Sequence, residues 1–252
     1  MEYYVGKDYS LGGITLLCKF DGQRVTMASQ IAGADETVSS LYSVKSEQAT
    51  MLSFDTYNYL VHYFGQPQGS MADDPNGTLG GDYEFVISDA TADRIELKGK
   101  KYGNRIVMKA FSADQTWKQY LTRIKKVEDD AFFYEYDLRM DGLYTGQMLR
   151  SNYTFIVTYY DEVGKVHQKT VPFMFTTDGM RFHEPVTIDG QTMQNFVWKN
   201  EEISFVCTDE GATEVKLAGV YTAGYQSYDY YPGTYQMDFY RLNDATNQME
   251  VA

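Results

Sequence analysis

The chain of 252 residues has only three histidines, two cysteines and two tryptophans, and these shortages argue against several kinds of chemistry. No pair of histidines has the spacing of a metal-binding motif such as HExxH, so a zinc hydrolase is not expected. No GxSxG elbow occurs, and Gly77, Gly80 and Gly81 precede a predicted strand, whereas a phosphate-binding loop leads into a helix. We therefore expect a non-enzyme without catalytic residues, metal or cofactor. An enzyme whose carboxylates or histidines converge only in the folded chain is the remaining alternative.

Basic residues are also few, 22 against 35 acidic ones, which gives a formal net charge of −13. This charge repels phosphate backbones, so no nucleic acid partner is expected. Binding of cations or of neutral ligands such as glycans is compatible with this charge. The charge also has a simpler explanation, because it keeps an aromatic-rich surface in solution.

Long apolar runs are absent, and none approaches the ~18 residues of a membrane-spanning helix. The first four residues, Met1 to Tyr4, lack the basic and apolar regions of a signal peptide. Cys18 and Cys207 each lie within a predicted strand at a position facing a core. We expect two buried thiols in separate domains and no disulfide, which leaves the compartment undecided by cysteine.

Aromatic residues are abundant, with 23 tyrosines and 14 phenylalanines, and they favour strands. Apolar residues alternate with polar ones and turn residues punctuate the pattern, which predicts antiparallel strands. Eight are predicted in the first 110 residues: 13–20, 25–29, 39–45, 51–55, 57–63, 82–88, 93–98 and 104–110. The later ones are 132–139, 152–160, 165–175, 194–198, 201–208, 213–218 and 235–242.

One helix is predicted over 113–128, between the two groups of strands. Ser112 and Gln115 have the spacing of a capping box, and apolar residues then recur at helical spacing: Trp117, Leu121, Ile124 and Val127. Eight meandering strands followed by a helix are typical of a lipocalin-like barrel, whose interior can be packed or hollow.

An internal repeat divides the chain. Residues 83–99 align without gaps to 203–219, an offset of 120, and 52–56 align to 173–177 with an offset of 121. At that offset His62 and His183 fall in equivalent places. The sequence therefore predicts an all-β protein of two tandem antiparallel β-meander domains, each a lipocalin-like barrel or half-barrel. The first covers 1–130 with the linking helix, and the second covers 131–252 as a diverged repeat.

Six stretches carry a resemblance to a known family: 12–20 (GGITLLCKF), 25–29 (VTMAS), 53–58 (SFDTYN), 80–86 (GGDYEFV), 95–104 (IELKGKKYGN) and 173–179 (FMFTTDG). They resemble an uncharacterised lipoprotein family of Bacteroidota, a domain-of-unknown-function group of the DUF4302 type often found beside nutrient-uptake operons. The resemblance implies an extracytoplasmic outer-membrane lipoprotein, periplasmic or on the cell surface. It would contact the membrane only through a lipidated cysteine upstream of residue 1. It implies no catalytic residues.

Two loops are candidate ligand sites. The first, 65–81, carries Asp73, Asp74 and Asn76, whose oxygens suit calcium. It lacks the spacing of an EF-hand, and its length and composition favour a flexible, turn-rich connection. The second, 221–235, gathers six tyrosines, a residue type that dominates binding loops. They are Tyr221, Tyr225, Tyr228, Tyr230, Tyr231 and Tyr235. These rings either contact a ligand or cover the end of the second barrel.

The leading hypothesis is a non-catalytic cell-surface lipoprotein that assists nutrient capture, with a glycan or a peptide as ligand and the tyrosine-rich loop as contact surface. A lipocalin-like carrier of a small apolar ligand is the first alternative. It requires a hollow barrel and fails if the interior is filled by Leu16, Phe20, Met27, Phe54, Phe85 and Ile106. A structural subunit of an outer-membrane complex, bound to an outer-membrane protein partner, is the second alternative, and an exposed apolar patch would favour it.

Overall fold

The computed structural model describes residues 1–46, 49–66, 78–161 and 163–221, and the backbone of 240–243 and 248–251. Within these ranges the chain forms two closed antiparallel barrels of eight strands each, followed by a two-stranded sheet. The predicted all-β class, with two tandem barrels and a linking helix, is confirmed. Alternation of apolar residues builds each barrel because only one face of every strand points inward.

The first barrel is a meander in which each strand pairs with the next and the eighth pairs with the first. Its strands are β1 (Glu2–Val5), β2 (Gly12–Asp21), β3 (Arg24–Ser29), β4 (Val38–Ser46), β5 (Thr50–Phe54), β6 (Glu84–Ala90), β7 (Arg94–Gly99) and β8 (Arg105–Lys109). A short 3₁₀ turn, Lys7–Tyr9, follows β1.

The interior of this barrel is filled by side chains. Five of the six residues that test the carrier hypothesis are buried in its core, namely Leu16, Met27, Phe54, Phe85 and Ile106, and the sixth, Phe20, packs against them. The carrier hypothesis requires a hollow interior, and these side chains occupy that space.

The predicted strand 57–63 is wrong. This segment holds a one-turn helix, α1 (Tyr59–His62), that begins at Asn58, whose side chain accepts a hydrogen bond from the backbone N–H of Leu60 at 3.1 Å. The count of eight strands is still correct because β1, which was not predicted, replaces it.

The linking helix, α2, spans Trp117–Asp130 and therefore starts one turn later than predicted. Its capping box consists of Thr116 and Gln119, which repeat the spacing of Ser112 and Gln115 four residues further on. Trp117 therefore opens the helix instead of lying inside it.

The second barrel has the same meander order. Its strands are β9 (Glu135–Met140), β10 (Leu143–Ser151), β11 (Thr154–Tyr160), β12 (Val166–Phe175), β13 (Gly179–Ile188), β14 (Gln191–Lys199), β15 (Ser204–Cys207) and β16 (Lys216–Gly219), with a 3₁₀ turn at Asn200–Glu202. β10 and β13 were not predicted. Residues 235–239 of the predicted strand 235–242 lie outside the described residues. The described backbone from residue 240 onward contains β17 (Tyr240–Asn243), which pairs with β18 (Gln248–Val251).

The two barrels are in contact through helix α2 and the first residue of β2. Leu121 packs on Leu17 and Ala28 of the first barrel. Ile124 and Val127 belong to the core of the second. Beside the helix, Gly12 lies so close to the second barrel that a Cβ there would be 2.0 Å from the carbonyl oxygen of Tyr153. The barrels are therefore in direct contact, and glycine is required where they meet.

The repeat aligns strands that occupy different positions in the strand order of the two barrels. Residues 83–99 contain β6 and β7, the sixth and seventh strands of their barrel, whereas 203–219 contain β15 and β16, the seventh and eighth of theirs. His62 and His183 lie in different barrels, as predicted, but one is in α1 and the other in β13. Duplication and the bounds 1–130 and 131–252 stay predictions.

Candidate functional site: an aromatic platform on the plugged end of the first barrel

One end of the first barrel is closed by a plug formed by residues 55–66. Leu60, Val61 and Phe64, at helical spacing, are buried in the barrel core. Asn58, fully buried, also reaches the barrel wall, since its Nδ2 donates to Ser40 Oγ at 3.2 Å. The plug is therefore fixed both by apolar burial and by a buried amide.

The outer side of the plug presents an aromatic platform, which consists of Tyr57, His62 and Tyr83. The ring of His62 stacks on that of Tyr83 with centroids 4.8 Å apart and an interplanar angle of 17°. The ring of Tyr57 lies 5.6 Å from His62. Tyr57 is 62% exposed and Tyr83 is 44% exposed, so both offer ring surface to solvent.

Hydrogen bonds hold two of these rings in place. The hydroxyl of Tyr57 donates to Gln66 Oε1 at 3.0 Å. The His62 Nδ1 lies 3.1 Å from the carbonyl oxygen of Asn58, the residue that begins the helix. The platform is therefore preorganised, which reduces the entropy that a ligand would have to remove.

Two glycines bring the third ring to the platform. The N–H of Gly81 donates to the carbonyl oxygen of Phe64 at 2.9 Å, and a Cβ at Gly81 would lie only 2.3 Å from the Cβ of Phe64. A Cβ at Gly65 would likewise lie 2.8 Å from the carbonyl oxygen of Gly81. This close approach places Tyr83, two residues further on, against His62.

Asp82 anchors the same loop from inside the barrel. It is 3% exposed, and its carboxylate accepts backbone N–H groups of Lys101 at 2.7 Å, Tyr102 at 3.1 Å and Asn104 at 3.1 Å. The hydroxyl of Tyr3 donates to the Asp82 carbonyl oxygen at 2.9 Å, and burial raises the pKa of Tyr3 well above its usual range. The loop that carries Tyr83 is thus tied to β1 and to the turn before β8.

Gly99 is part of this anchor. A Cβ at Gly99 would lie 1.9 Å from the carboxylate of Asp82, so no other residue leaves room for it. Three of the stretches that carry the family resemblance, 53–58, 80–86 and 95–104, therefore converge on the plug, the platform and its anchor.

The two cysteines and His167 are held in structural contacts. Burial raises the pKa of the Cys18 thiol to about 12 and that of Cys207 to about 11, so both are protonated near neutral pH, and both are free cysteines. His167 pairs with Asp161 at 2.8 Å. In the part of the chain that the structure describes, no three His, Cys, Asp or Glu side chains form a metal-binding group.

The tyrosine-rich loop can be placed only at its first residue. Tyr221 is 75% exposed and meets Phe133 edge to face at 5.1 Å, at the second barrel. The other five predicted residues lie outside the described ranges, as do Asp73, Asp74 and Asn76 of the first loop. The sequence does not reveal the platform, because alternation predicts a strand over 57–63. The helical spacing of Leu60, Val61 and Phe64 after an Asn cap is the signal that could have revealed it.

Two closed barrels joined by a helix, one of them plugged and topped by exposed aromatic rings, define a tandem β-barrel protein. Neither α1 nor α2 has the length and hydropathy to cross a bilayer, and no other helix in the described ranges does. The family model described as Domain of unknown function (DUF4302) matches residues 1–200, and the chain belongs to this family. No curated protein and no solved structure matches the chain. The matched residues include the whole first barrel, α2 and β9 to β14, and thus the complete platform.

Proposed function

We propose that this protein is a non-catalytic glycan-binding lipoprotein of the cell surface, and that its contact surface is the aromatic platform. The observation that carries the proposal is the exposed, preorganised row of Tyr57, His62 and Tyr83. The C–H face of a sugar ring is apolar and slightly positive, and it stacks on the negative face of an aromatic ring. Tyrosine hydroxyls and the imidazole supply hydrogen bonds at the edge of such a stack.

A neutral glycan fits the charge of the molecule better than an acidic one. The net charge of −13 disfavours uronic acids and sulfated sugars. The basic side chain of Lys100 beside the platform loop is paired with Glu84 at 3.3 Å. The proposed ligand class is therefore neutral oligosaccharides.

Alanine substitution at the platform tests this function. Tyr57→Ala and Tyr83→Ala should each weaken binding of a neutral oligosaccharide by about tenfold, and the double variant by about a hundredfold, because each removes one stacking face. Binding is measured by calorimetry with the best neutral oligosaccharide from a glycan array. Tyr160→Ala is the matched control, since Tyr160 is 52% exposed on the other barrel.

The control variant should bind the oligosaccharide like the wild type, and the melting temperatures of all variants should be unchanged. Undiminished binding by the double variant would exclude the platform as the binding surface. Loss of binding on replacing Tyr221 or Tyr228 instead would transfer the function to the tyrosine-rich loop. If no neutral glycan binds the wild type, the proposed ligand class is wrong.

The cellular location belongs to the same proposal. It is supported by the resemblance to Bacteroidota lipoproteins, which carry a lipidated cysteine before the folded part. Metabolic labelling of the precursor with a fatty acid, followed by protease treatment of intact cells, tests it. A precursor that is neither labelled nor accessible to protease would contradict a surface lipoprotein.

A subunit role in an outer-membrane complex is a second candidate, because the second barrel has an exposed apolar patch. The patch lies at the β9–β10 and β11–β12 hairpin tips and consists of Leu143 (72% exposed), Tyr144 (55%), Tyr160 (52%) and Val163 (87%). Such patches mark interaction surfaces. Leu143→Asp with Val163→Asp should dissociate a complex on a native gel of membrane extracts, and an unchanged complex would rule this patch out.

A further inference from the structure

The second barrel has an incomplete seam between β12 and β13. Both strands have 10 residues, yet they pair only at Phe173 with Phe182, Met174 with Arg181 and Phe175 with Met180. Residues 166–172 of β12 and 183–188 of β13 face each other beyond this point without strand pairing between them. We call this gap the seam.

Two prolines explain why the seam does not close. The N–H of Phe173 donates to the carbonyl oxygen of Tyr153, the residue before β11. In β12 the alternate positions Pro172 and Thr170 therefore direct their backbone groups toward β13. Pro172 has no N–H to give. On the other side the pairing of β13 is irregular between Arg181 and Val186, a stretch that includes Pro185. Each strand therefore lacks one backbone N–H donor at the point where the pairing of β12 with β13 would continue.

The seam forms a groove with a volume of about 360 Å³, lined by both strands. The Nζ of Lys169 crosses it and donates to the carbonyl oxygen of Thr187 at 3.2 Å. A lysine side chain thus takes the place of a backbone donor. The apolar side chains of Val171 and Val186 line the same groove.

His183 adds a buried polar group to the groove. Its side chain is only 7% exposed, and within the described residues its Nδ1 has no hydrogen-bond partner. The ring is held against Tyr4 at 4.2 Å and Tyr9 at 4.5 Å, both from the first barrel. A buried polar atom without a partner is rare and points to a ligand that would satisfy it.

We propose that the seam binds an extended peptide segment of a partner protein, which completes the ladder as an added β-strand. Only a backbone supplies alternating donors and acceptors to both edges at strand spacing. The ammonium group of Lys169 favours a segment with an acidic residue among β-branched ones. β12 and β13 are each paired on their other side, with β11 and β14, so the added strand would pair with the two edges that face the seam.

Selection from a display library of random 12-residue peptides tests the proposal on the full chain. The enriched peptides should contain alternating β-branched residues and an acidic one. Methylating alternate backbone nitrogens of such a peptide should weaken its binding at least tenfold without changing its side chains. On peptide binding, hydrogen exchange should slow at the amides of Val166, Gln168 and Thr170.

A seam-closing variant, Pro172→Val with Pro185→Val, should raise the melting temperature and abolish peptide binding, because β12 and β13 can then pair. If this variant does not fold, Lys169→Glu serves instead, and it should weaken binding of the acidic peptide at least tenfold. Equal affinity for the methylated peptide, or unchanged binding by both variants, would overturn the proposal. So would a dimer in solution that the seam-closing variant converts to a monomer, since a second copy would then be the occupant.

Discussion

Replacing Asp82 with alanine is expected to lower the free energy of unfolding by about 3 to 5 kcal/mol, a large part of the stability of an ordinary domain. The buried carboxylate accepts the N–H groups of Lys101, Tyr102 and Asn104, of which the bond from Asn104 is buried and the other two are part-buried. Without the carboxylate three backbone donors lose their acceptor, and each such loss costs up to about 1 to 3 kcal/mol. Water that reaches these donors replaces part of the lost hydrogen bonding. The expected loss of stability is therefore smaller than three times the largest single cost.

Urea unfolding followed by tryptophan and tyrosine fluorescence measures this effect. Asp89→Ala is the control, since Asp89 is an exposed acid on β6 and should change stability by less than about 0.5 kcal/mol. If Asp82→Ala is as stable as the control, the loop before β6 does not depend on this carboxylate. Because Tyr83 follows Asp82 directly, the variant should also lose glycan binding under conditions where it is still folded.

The second large effect is expected at Arg150, where Arg150→Ala should lower stability by about 2 to 4 kcal/mol near neutral pH. Its side chain is 9% exposed, and its guanidinium lies 5.3 Å from the ring centre of Phe132 and 5.1 Å from that of Phe175. It also lies 3.8 Å from the carboxylate of Glu128 in α2. Removing it loses the cation–π contacts and removes one of the two positive charges near Glu128, the other being Lys125.

The loss should depend on pH because of Glu128. Burial raises the pKa of Glu128 above its ordinary value of 4.5, although the hydrogen bond from Tyr153 and the charge of Arg150 oppose the shift. Between the ordinary and the raised pKa the folded chain binds more protons than the unfolded chain, so stability falls as pH rises through that window. Without Arg150 the pKa rises further. The deficit of the variant should therefore be smaller at pH 4 than at pH 8.

Parallel urea titrations of wild type and variant at the two pH values check this. Arg139→Ala is the matched control, since that arginine is 45% exposed on β9 and pairs with Asp137. A deficit that is the same at both pH values would show that Glu128 does not respond to Arg150, and a deficit no larger than the control's would show that Arg150 does not fasten α2 to the second barrel.

Thirteen of the sixteen strands of the barrel walls, all except β1, β10 and β13, could be predicted from the alternation of apolar and polar residues. In β2 the inward positions Ile14 and Leu16 are buried in the core, as the alternation requires. The plug could not be predicted in this way. The aromatic pattern from Tyr57 to Tyr63 fits a strand by alternation, and only the position of the segment at the barrel end selects the helical turn.

The contact between Tyr83 and His62 was beyond reach for a different reason. The two residues are 21 positions apart, and the approach depends on the absence of a Cβ at Gly81 and on the anchoring of Asp82 by a turn nearly 20 residues further on. Strand β13 was also not predicted. Pro185 interrupts its alternation of apolar and polar residues, and the same proline lies where the pairing of β13 is irregular, next to the seam.

Hydrogen–deuterium exchange with a saturating neutral oligosaccharide tests most directly whether the platform is the binding surface. Slower exchange is expected in peptides covering 55–66 and 80–84, and the same peptides should be unaffected in the double variant Tyr57→Ala, Tyr83→Ala. Protection confined to 221–235, with none at the plug, would contradict the account.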